Sequence, residues 1–269
     1  MNTLLFPVLL PGYKRKTGLI EFIRRRKERM GVFYLDLEFT NGNFYVGDIF
    51  EIAVLSEHSG NMFHSYIYTP ERISSYVLNM CGVEIERIRQ APTFCVIMTD
   101  LFNFIKEEND EKQVIFIAHG GLGSDFPLLF VNCMRRQKTK DFIQHLDSFS
   151  FLDSVETLQN SYGYRKTSLD VLTGKRDVHS AVEDAELLKM VADDYRINKD
   201  LNISILYSAQ DILHKLTMKL PISIKDLNSL SNILPTKESF ERALYEFSTP
   251  KTALSKKQVP RIANMYFKT

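Results

Sequence analysis

The sequence predicts an α/β fold with a central mixed five-stranded sheet flanked by helices, followed by a helical C-terminal extension. Three segments rich in apolar, strand-forming residues occupy the first half of the chain and are joined by short links. Such links favour an antiparallel meander. A continuous apolar run and a further strand candidate then alternate with helical patterns, which is typical of strands covered on both faces.

The size and charge of the chain restrict its class. Its 269 residues carry a formal net charge of +1, which allows one large α/β domain and an accessory segment. A basic protein that coats DNA is excluded, so any contact with nucleic acid must come from a local patch or a metal site. The three cysteines lack the paired spacing of a disulfide framework or a zinc site, which fits a reducing compartment.

Residues 1–30 are predicted to form an N-terminal helical segment, with the helix around Gly18–Arg29. The basic cluster Arg24–Lys27 is either a solvated helix face or a nuclear signal or phosphate-binding patch. The apolar stretch Leu4–Leu10 contains Pro7 and is too short to span a bilayer. We therefore expect an intracellular protein of the nucleus or cytoplasm, with no membrane partner.

Three strands are predicted at Val32–Thr40, Asp48–Ser56 and Met62–Thr69, with turn-forming residues between them. Helical periodicity follows at Ile73–Met80 and Thr93–Lys106, and a threonine can cap the second of these helices.

A second group of elements follows these helices. The run Val114–Ala118 is apolar throughout, as expected of a buried strand. A glycine-rich turn leads to a helix that opens near Asp125, and the next strand is predicted at Ser150–Asp153. Short helical patterns separated by prolines then run from about Leu201 to the end. We place the main domain at residues 31–200 and the extension at 201–269.

Two carboxylates interrupt the first apolar strand. Asp36 and Glu38 are two positions apart, so their side chains point to the same face. Burying unpaired carboxylates is costly or forces their protonation, and a divalent cation such as Mg²⁺ or Mn²⁺ removes that cost. The pattern indicates either a metal site or an edge strand with two solvated acids.

Two more acids and a histidine occupy positions that a site can use. Asp125 begins a helix just beyond the end of a buried strand, where sites collect in open α/β sheets. The helix dipole also favours an acid there without any function. Asp184 lies at the margin of the apolar face of a later helix, and His179 lies near its N-terminus, so both can reach one site. A cap or a surface group is the alternative for the histidine.

Together these residues, in this order, resemble the DEDDh family of 3′→5′ exonucleases over roughly residues 31–196. Ser180 stands where the related DEDDy group has its tyrosine, which indicates the histidine branch. The likeness to the three-prime repair exonucleases rests on Ala118-His119-Gly120-Gly121 and Asp125-Phe126-Pro127-Leu128-Leu129. Further segments that fit the family pattern are Glu51-Ile52-Ala53, Gly82-Val83 and Ala91-Pro92.

The resemblance implies a ribonuclease H-like fold and a chemistry. Two Mg²⁺ or Mn²⁺ ions, roughly 3.5–4 Å apart, would activate water and stabilise the transition state. Asp36 would bridge both ions, Glu38 and Asp184 would support the ion on the nucleophile side, and Asp125 would support the other through water. His179 would act as the general base, because the ordinary histidine pKa of about 6.5 suits proton abstraction from water at neutral pH.

The resemblance also implies residues that contact the substrate, although the sequence departs from the family pattern at three positions. These are Gly120 in place of asparagine, Ser124 in place of an aromatic residue and Phe39 in place of a threonine. Aromatic and basic residues before His179 form either a strand-binding rim or a solvated loop. The residues expected to contact substrate are Leu37, Phe39, Thr40, His119, Tyr164 and Lys166.

The expected partner is a nucleic acid with a free 3′ end, from which nucleoside 5′-monophosphates are released. DNA, single-stranded or frayed, is the first substrate choice. RNA is the alternative, because the distinction depends on a few contacts to the 2′-hydroxyl. A catalytically silent domain that binds nucleic acid or protein is the rival from another class. A homodimer is suggested by analogy alone.

Overall fold

The computed structural model describes residues 30–40, 47–109, 113–135, 145–164, 167–174, 179–198, 206–217, 236–246 and 258–267. The chain divides into two compact units, residues 1–30 and 31–269, and all described residues except Met30 belong to the second. The predicted N-terminal helix, its basic cluster and the apolar stretch before it lie outside the described residues.

A mixed six-stranded sheet forms the centre of the protein, with the strand order β3-β2-β1-β4-β5-β6. β1 pairs antiparallel with β2, and β2 with β3, whereas β4 and β5 are parallel and β5 and β6 antiparallel. The predicted mixed sheet is confirmed. The strands are β1 (Met30–Phe39), β2 (Ile49–Ser56), β3 (Met62–Tyr66), β4 (Gln113–Ala118), β5 (Ser150–Asp153) and β6 (Tyr207–Ser208).

The prediction of five strands is wrong, because β6 adds a sixth from the segment predicted to be helical. Ser208 pairs with Ser150 and Tyr207 with Phe151 at the outer edge of the sheet. The hydroxyl of Tyr207 also donates a hydrogen bond to Glu156 at 2.6 Å. A strand of two residues is too short to show alternation in the sequence, so only its tertiary contacts reveal it.

Helices cover the sheet, and no helix within the described ranges is long and apolar enough to cross a membrane. The described residues form the helices α1 (Ser75–Cys81), α2 (Ile85–Arg89), α3 (Phe94–Asn109), α4 (Asp125–Arg135), α5 (Ser154–Tyr162), α6 (Leu169–Thr173), α7 (Ala181–Asp194), α8 (Ala209–Thr217), α9 (Lys237–Glu246) and α10 (Gln258–Tyr266).

β2 lies inside the sheet and is buried along its whole length. All eight of its residues are buried, and the strand contacts both α4 and α7. This double cover explains why its sequence is apolar at nearly every position instead of alternating. Its acidic residue Glu51 is thereby drawn into the interior.

The turn between β4 and α4 places Asp125 at the carboxyl end of a buried strand. Gly120 adopts the left-handed conformation, with φ +71°. A β-carbon on Gly121 would lie 2.6 Å from the Cβ of Ala118, so this position also requires glycine. The tight turn therefore sets where α4 begins.

The C-terminal helices pack on α4. α8 and α10 both contact it, and α9 packs against α10. Ala209, Ile212, Leu213 and Met265 belong to the same buried apolar cluster as Phe126. The described part of the C-terminal segment thus contributes to the core that supports the helix carrying Asp125. The predicted boundary near residue 200 stays a prediction.

Candidate active site

Three of the predicted acids meet at one end of the sheet. Asp36 and Glu38 lie on β1, and Asp184 lies in the first turn of α7, which packs on the neighbouring strand β2. Among the described residues, one carboxylate oxygen from each of them can be chosen so that all three lie within 4.8 Å of one another. Glu38 and Asp184 are buried, and Asp36 keeps part of its surface accessible. We call these three residues the acid group.

Asp125 lies beside the acid group and is bound to the backbone of the strand that carries it. Its Oδ1 accepts a hydrogen bond from the N–H of Leu37 at 3.1 Å, and Leu37 stands between Asp36 and Glu38. Its Oδ2 accepts from the hydroxyl of Ser124 at 2.7 Å. The structure thus brings the fourth acid to the same end of the sheet but outside the group of three.

The pKa values of Asp36 and Glu38 are raised, because both carboxylates are buried and other acids lie close to them. Burial raises the pKa of Asp36 well above its usual range, and the charges of Asp125, Glu38 and Asp184 add to the effect. Burial also raises the pKa of Glu38 to about 8, with contributions from the charges of Glu51, Asp184 and Asp125. Hard carboxylate oxygens in such surroundings suit a divalent cation, which would offset both desolvation and repulsion.

The pKa of Asp125 is raised less than that of Glu38. Burial raises its pKa to about 6, while the hydrogen bonds from Ser124 and from the backbone N–H of Leu37 oppose the shift. Asp125 is only 4% exposed. Its carboxylate is therefore stabilised by two protein donors, the N–H of Leu37 and the hydroxyl of Ser124.

His179 stands immediately before α7, next to the acid group. Its Nδ1 lies 4.0 Å from Oδ2 of Asp184, and its side chain is 34% exposed. Its backbone N–H donates to the carbonyl of Met80 at 3.1 Å, which anchors it to the end of α1. Ser180 caps the helix by accepting from the N–H of Glu183. The histidine thus reaches both the acids and solvent.

Two residues of this region were not predicted as site residues. The thiol of Cys81, buried at the end of α1, donates a hydrogen bond to Glu38 and opposes the rise of its pKa. Glu51 on β2 is the register partner of Glu38. An acid inside an apolar strand is a signal that could have revealed Glu51. The sequence holds no comparable signal for Cys81, because its partner lies far away along the chain.

Asp153, at the end of β5, holds the turn that precedes Asp125. Its carboxylate accepts hydrogen bonds from the N–H groups of Gly120 at 3.0 Å and Leu122 at 3.1 Å. It also caps α5 by accepting from the N–H of Val155 at 2.9 Å. A single carboxylate therefore links the start of one helix to the loop that positions the fourth acid.

The residues predicted to contact substrate lie in different settings. Leu37 is a buried core residue, and Phe39 packs against the same core cluster. Thr40 accepts a hydrogen bond from the N–H of Asp48 through its hydroxyl at 3.0 Å. The Nδ1 of His119 lies 2.9 Å from the hydroxyl of Ser154. These four residues surround the end of the sheet that carries the acids.

Tyr164 lies elsewhere. Its hydroxyl accepts a hydrogen bond from that of Tyr195 at 3.1 Å, and the two rings pack edge to face. Tyr195 follows the last turn of α7, so it stands about 16 Å along the helix from Asp184 at 1.5 Å per residue. Lys166 lies outside the described residues.

Comparison with known proteins now identifies the family. The family model described as Exonuclease (RNase_T) matches residues 33–191, which contain the four acids and His179. The chain belongs to the exonuclease family. The predicted exonuclease membership is confirmed.

One relative and two solved structures illustrate the likeness. The DNA polymerase III subunit epsilon of Buchnera aphidicola subsp. Schizaphis graminum (strain Sg) is 28% identical over 155 residues, which are 54% of this chain and 62% of that protein. The chain thus spans less than two thirds of that relative.

The two solved structures share the fold. A structure titled "3'-end specific recognition of histone mRNA stem-loop by 3'-exonuclease" has a TM-score of 0.51 at 16% identity, covering 72% of this chain and 78% of that chain. A full-length 3'-exonuclease has a TM-score of 0.50 at 16% identity, covering 66% and 89%. The predicted ribonuclease H-like fold class is confirmed.

Proposed function

We propose that this protein removes nucleotides one at a time from the free 3′ end of DNA, single-stranded or frayed, and releases nucleoside 5′-monophosphates. One observation carries the proposal. The acid group formed by Asp36, Glu38 and Asp184 lies next to His179 at the end of the sheet, in a chain of the exonuclease family. No described feature of the far end of the sheet offers a comparable set of groups.

The acid group fits divalent cations, and we propose Mg²⁺ or Mn²⁺, two ions per site. Asp36, Glu38 and Asp184 would hold them, with Asp125 supporting the side nearest to α4. When bound, such ions lower the pKa of water and neutralise the negative charge that develops on the phosphate. Burial and neighbouring charges raise the pKa of Glu38 to about 8 despite the hydrogen bond from Cys81, and a bound cation would offset both causes.

The protein's own contribution to proton transfer is assigned to His179. Its imidazole faces Asp184 through Nδ1 and is partly open to solvent, so its other nitrogen can receive a proton from the attacking water. As the water oxygen bonds to phosphorus, the bond from phosphorus to the 3′ oxygen of the preceding nucleotide breaks. That oxygen takes a proton from solvent, and the neighbouring carboxylates stabilise the imidazolium.

DNA is the preferred substrate in this proposal for two reasons. The 28% identical relative is a subunit of a DNA polymerase, and Asp125-Phe126-Pro127-Leu128-Leu129 resembles the signature of the three-prime repair exonucleases. RNA is the second candidate, because one structure of the same fold is titled as an exonuclease recognising an mRNA stem-loop. Identity of 16% to that structure supports the fold and not the substrate.

The test uses 3′-labelled single strands of DNA and RNA with the same sequence, and a circular DNA strand as control. We expect stepwise release of label from linear DNA with Mg²⁺ or Mn²⁺, and none in excess EDTA or from the circle. Faster degradation of RNA would reverse the substrate assignment. Binding of either strand without hydrolysis, under every metal condition, would support the silent binding domain instead.

Two further proposals concern the whole protein. The homodimer suggested by analogy is tested by light scattering after size-exclusion chromatography, where a mass of 31.2 kDa would show a monomer. Residence in the nucleus or the cytoplasm is tested by imaging a tagged full-length chain.

A further inference from the structure

Glu51 is a fifth carboxylate on the same face of the sheet as the acid group. It lies on β2 directly opposite Glu38 of β1 in the antiparallel register. Side chains of such cross-strand pairs have their Cβ atoms about 4.5–5.5 Å apart on one face of the sheet. Glu51 is only 1% exposed. A buried acid with an acidic neighbour at this distance requires an explanation.

Within the described part of the chain, only one of its oxygens has a hydrogen-bond partner. Oε1 lies 2.8 Å from Nε2 of His64 on β3. Oε2 is buried and has no hydrogen-bond partner among the described residues. A buried oxygen without a donor is costly, and such an atom in a native protein usually meets water or an ion. Glu51 therefore offers a buried acceptor to which no described residue donates.

The free acceptor belongs to the surroundings of the acid group. The charge of Glu51 is among the causes that raise the pKa of both Glu38 and Asp36. Burial and, among other causes, the charge of Glu51 raise the pKa of the Cys81 thiol, which donates to Glu38. His64, on the opposite side, is accessible to solvent. The carboxylate is thus held by an imidazole through Oε1, and its charge acts on Glu38 and Asp36.

A third glutamate shows that this arrangement is not general. Glu57 follows β2 at the far end of the strand, and each of its oxygens has a donor. Lys189 and the hydroxyl of Tyr34 donate to Oε2 at 3.0 and 2.7 Å, and Asn198 donates to Oε1 at 2.8 Å. Glu57 is therefore a matched control for Glu51.

We propose that Glu51 is a positioning residue of the cation site, whose Oε2 accepts a hydrogen bond from water on the cation held by Glu38. His64 fixes the orientation of the carboxylate from the other side. The inference rests on the proposed cation site. Groups that hydrogen-bond to what a metal binds typically change metal affinity by about 10–100-fold when they are replaced.

The test is a titration with Mn²⁺ alone, in the absence of nucleic acid, followed by electron paramagnetic resonance or calorimetry. Glu51→Gln keeps the shape of the side chain and removes its charge. We expect it to weaken Mn²⁺ binding by roughly 10–100-fold, whereas Glu57→Gln binds Mn²⁺ like the wild type. Wild-type affinity in a folded Glu51→Gln protein overturns the proposal, and so does an equal loss in Glu57→Gln.

A pair of substitutions at His64 tests the orientation. His64→Leu removes the donor to Oε1, whereas His64→Gln retains a nitrogen that can donate. We expect weaker Mn²⁺ binding in the first variant and recovery in the second. Equal Mn²⁺ affinity of both variants and the wild type would remove His64 from the proposal.

A measurement on the wild type covers the case in which Glu51→Gln does not fold. A crystal structure with Mn²⁺ should show Oε2 of Glu51 in hydrogen-bond contact with a metal-bound water. Oε2 bound to a protein donor, or directly to the ion, contradicts the proposal. The proposed function can be refuted independently. Wild-type protein that binds Mn²⁺ yet hydrolyses no nucleic acid would refute that function and leave the role of Glu51 intact.

Discussion

Carboxylates lie at both ends of the surface between the sheet and α7, but the groups that surround them differ. At one end the acid group crowds with Glu51, and burial and mutual repulsion raise the pKa values of Asp36 and Glu38. At the other end both oxygens of Glu57 accept hydrogen bonds, from Tyr34, Lys189 and Asn198. The same helix and the same pair of strands thus carry acids paired with donors, here called the compensated end, and acids crowded against one another.

The compensated end is organised around Lys189. Its ammonium lies 3.0 Å from Glu57 and 2.9 Å from Asp193, and Asn198 donates to both acids as well. Burial opposes the charge of Lys189, but its hydrogen bonds to Asp193 and Glu57 raise its pKa. Such a network stabilises the structure and needs no cation from solution.

The difference between the two ends indicates which buried acids can bind a cation and take part in catalysis. Buried acids that are fully paired contribute to the stability of the fold, whereas buried acids crowded against one another lower it until a cation binds. The protein retains the second arrangement at the end of the sheet where His179 and the turn before α4 converge. We therefore expect substitutions at the two ends to change activity and stability in opposite directions.

The largest effect should come from Asp36→Ala. We expect loss of hydrolysis to below detection, because the substitution removes an acid that would hold the cations. Melting temperature in the absence of metal should stay the same or rise, because repulsion within the acid group decreases. Nuclease assays and thermal melting on one preparation check this. Unfolding together with loss of activity would assign Asp36 to the structural kind of acid found at the other end.

His179→Ala should have the next largest effect, a fall in kcat of about 10²–10⁴-fold, as expected for the loss of a general base. Binding of Mn²⁺ should persist, because the carboxylates and not the histidine hold the cations. Single-turnover kinetics with the metal in excess measure the chemical step. Near wild-type kcat in that regime would show that His179 is not the base.

Lys189→Met tests the compensated end. The substitution keeps the apolar stem but leaves Glu57 and Asp193 without their ammonium, so we expect a loss of about 1–3 kcal/mol in the free energy of unfolding. Hydrolysis below the melting temperature should be unchanged. Urea denaturation and the nuclease assay measure the two quantities. A selective loss of activity in the folded variant would mean that the two ends are coupled through α7.

The smallest effect concerns pH. Because the pKa of Glu38 is raised from its usual value of 4.5 to about 8 in the folded protein, its contribution to stability is complete below 4.5 and is lost as the pH rises through 8. The melting temperature of the metal-free protein should therefore fall by a few degrees from about pH 5 to about pH 9. Added Mg²⁺ should raise the melting temperature more at about pH 9 than at about pH 5. A metal effect independent of pH would contradict the crowding of the acids.

Asp36 and Glu38 show how much of the site the sequence determines. The period of two along a strand places both side chains on one face wherever the strand lies, so their proximity follows from local geometry. Asp125 is similar, since a helix start after a buried strand is recognisable from the apolar run and the glycines that follow it. The strand at Ser150–Asp153 was also predicted with the bounds that the structure shows.

The meeting of the acids across the chain is decided by tertiary structure alone. Asp184 and Asp193 lie on the same helix. The spacing of four residues between Lys189 and Asp193 already favours their ion pair, but no local pattern indicates that Asp184 joins Asp36 and Glu38. Packing of α7 on β2 makes that choice, because it fixes which turn of the helix faces which end of the sheet. The role of Cys81, the strand β6 and the position of Asp125 outside the acid group depend on long-range contacts in the same way.

Glu51 lies between these cases. The sequence by itself predicts an acid within a buried strand, and therefore a group that needs a partner. Its neighbours depend on the register of three strands, because β1 places Glu38 opposite it and β3 brings His64 to its Oε1. Residue type determined that an acid would be buried, and strand pairing decided that it has an imidazole on one strand and a second acid on the other.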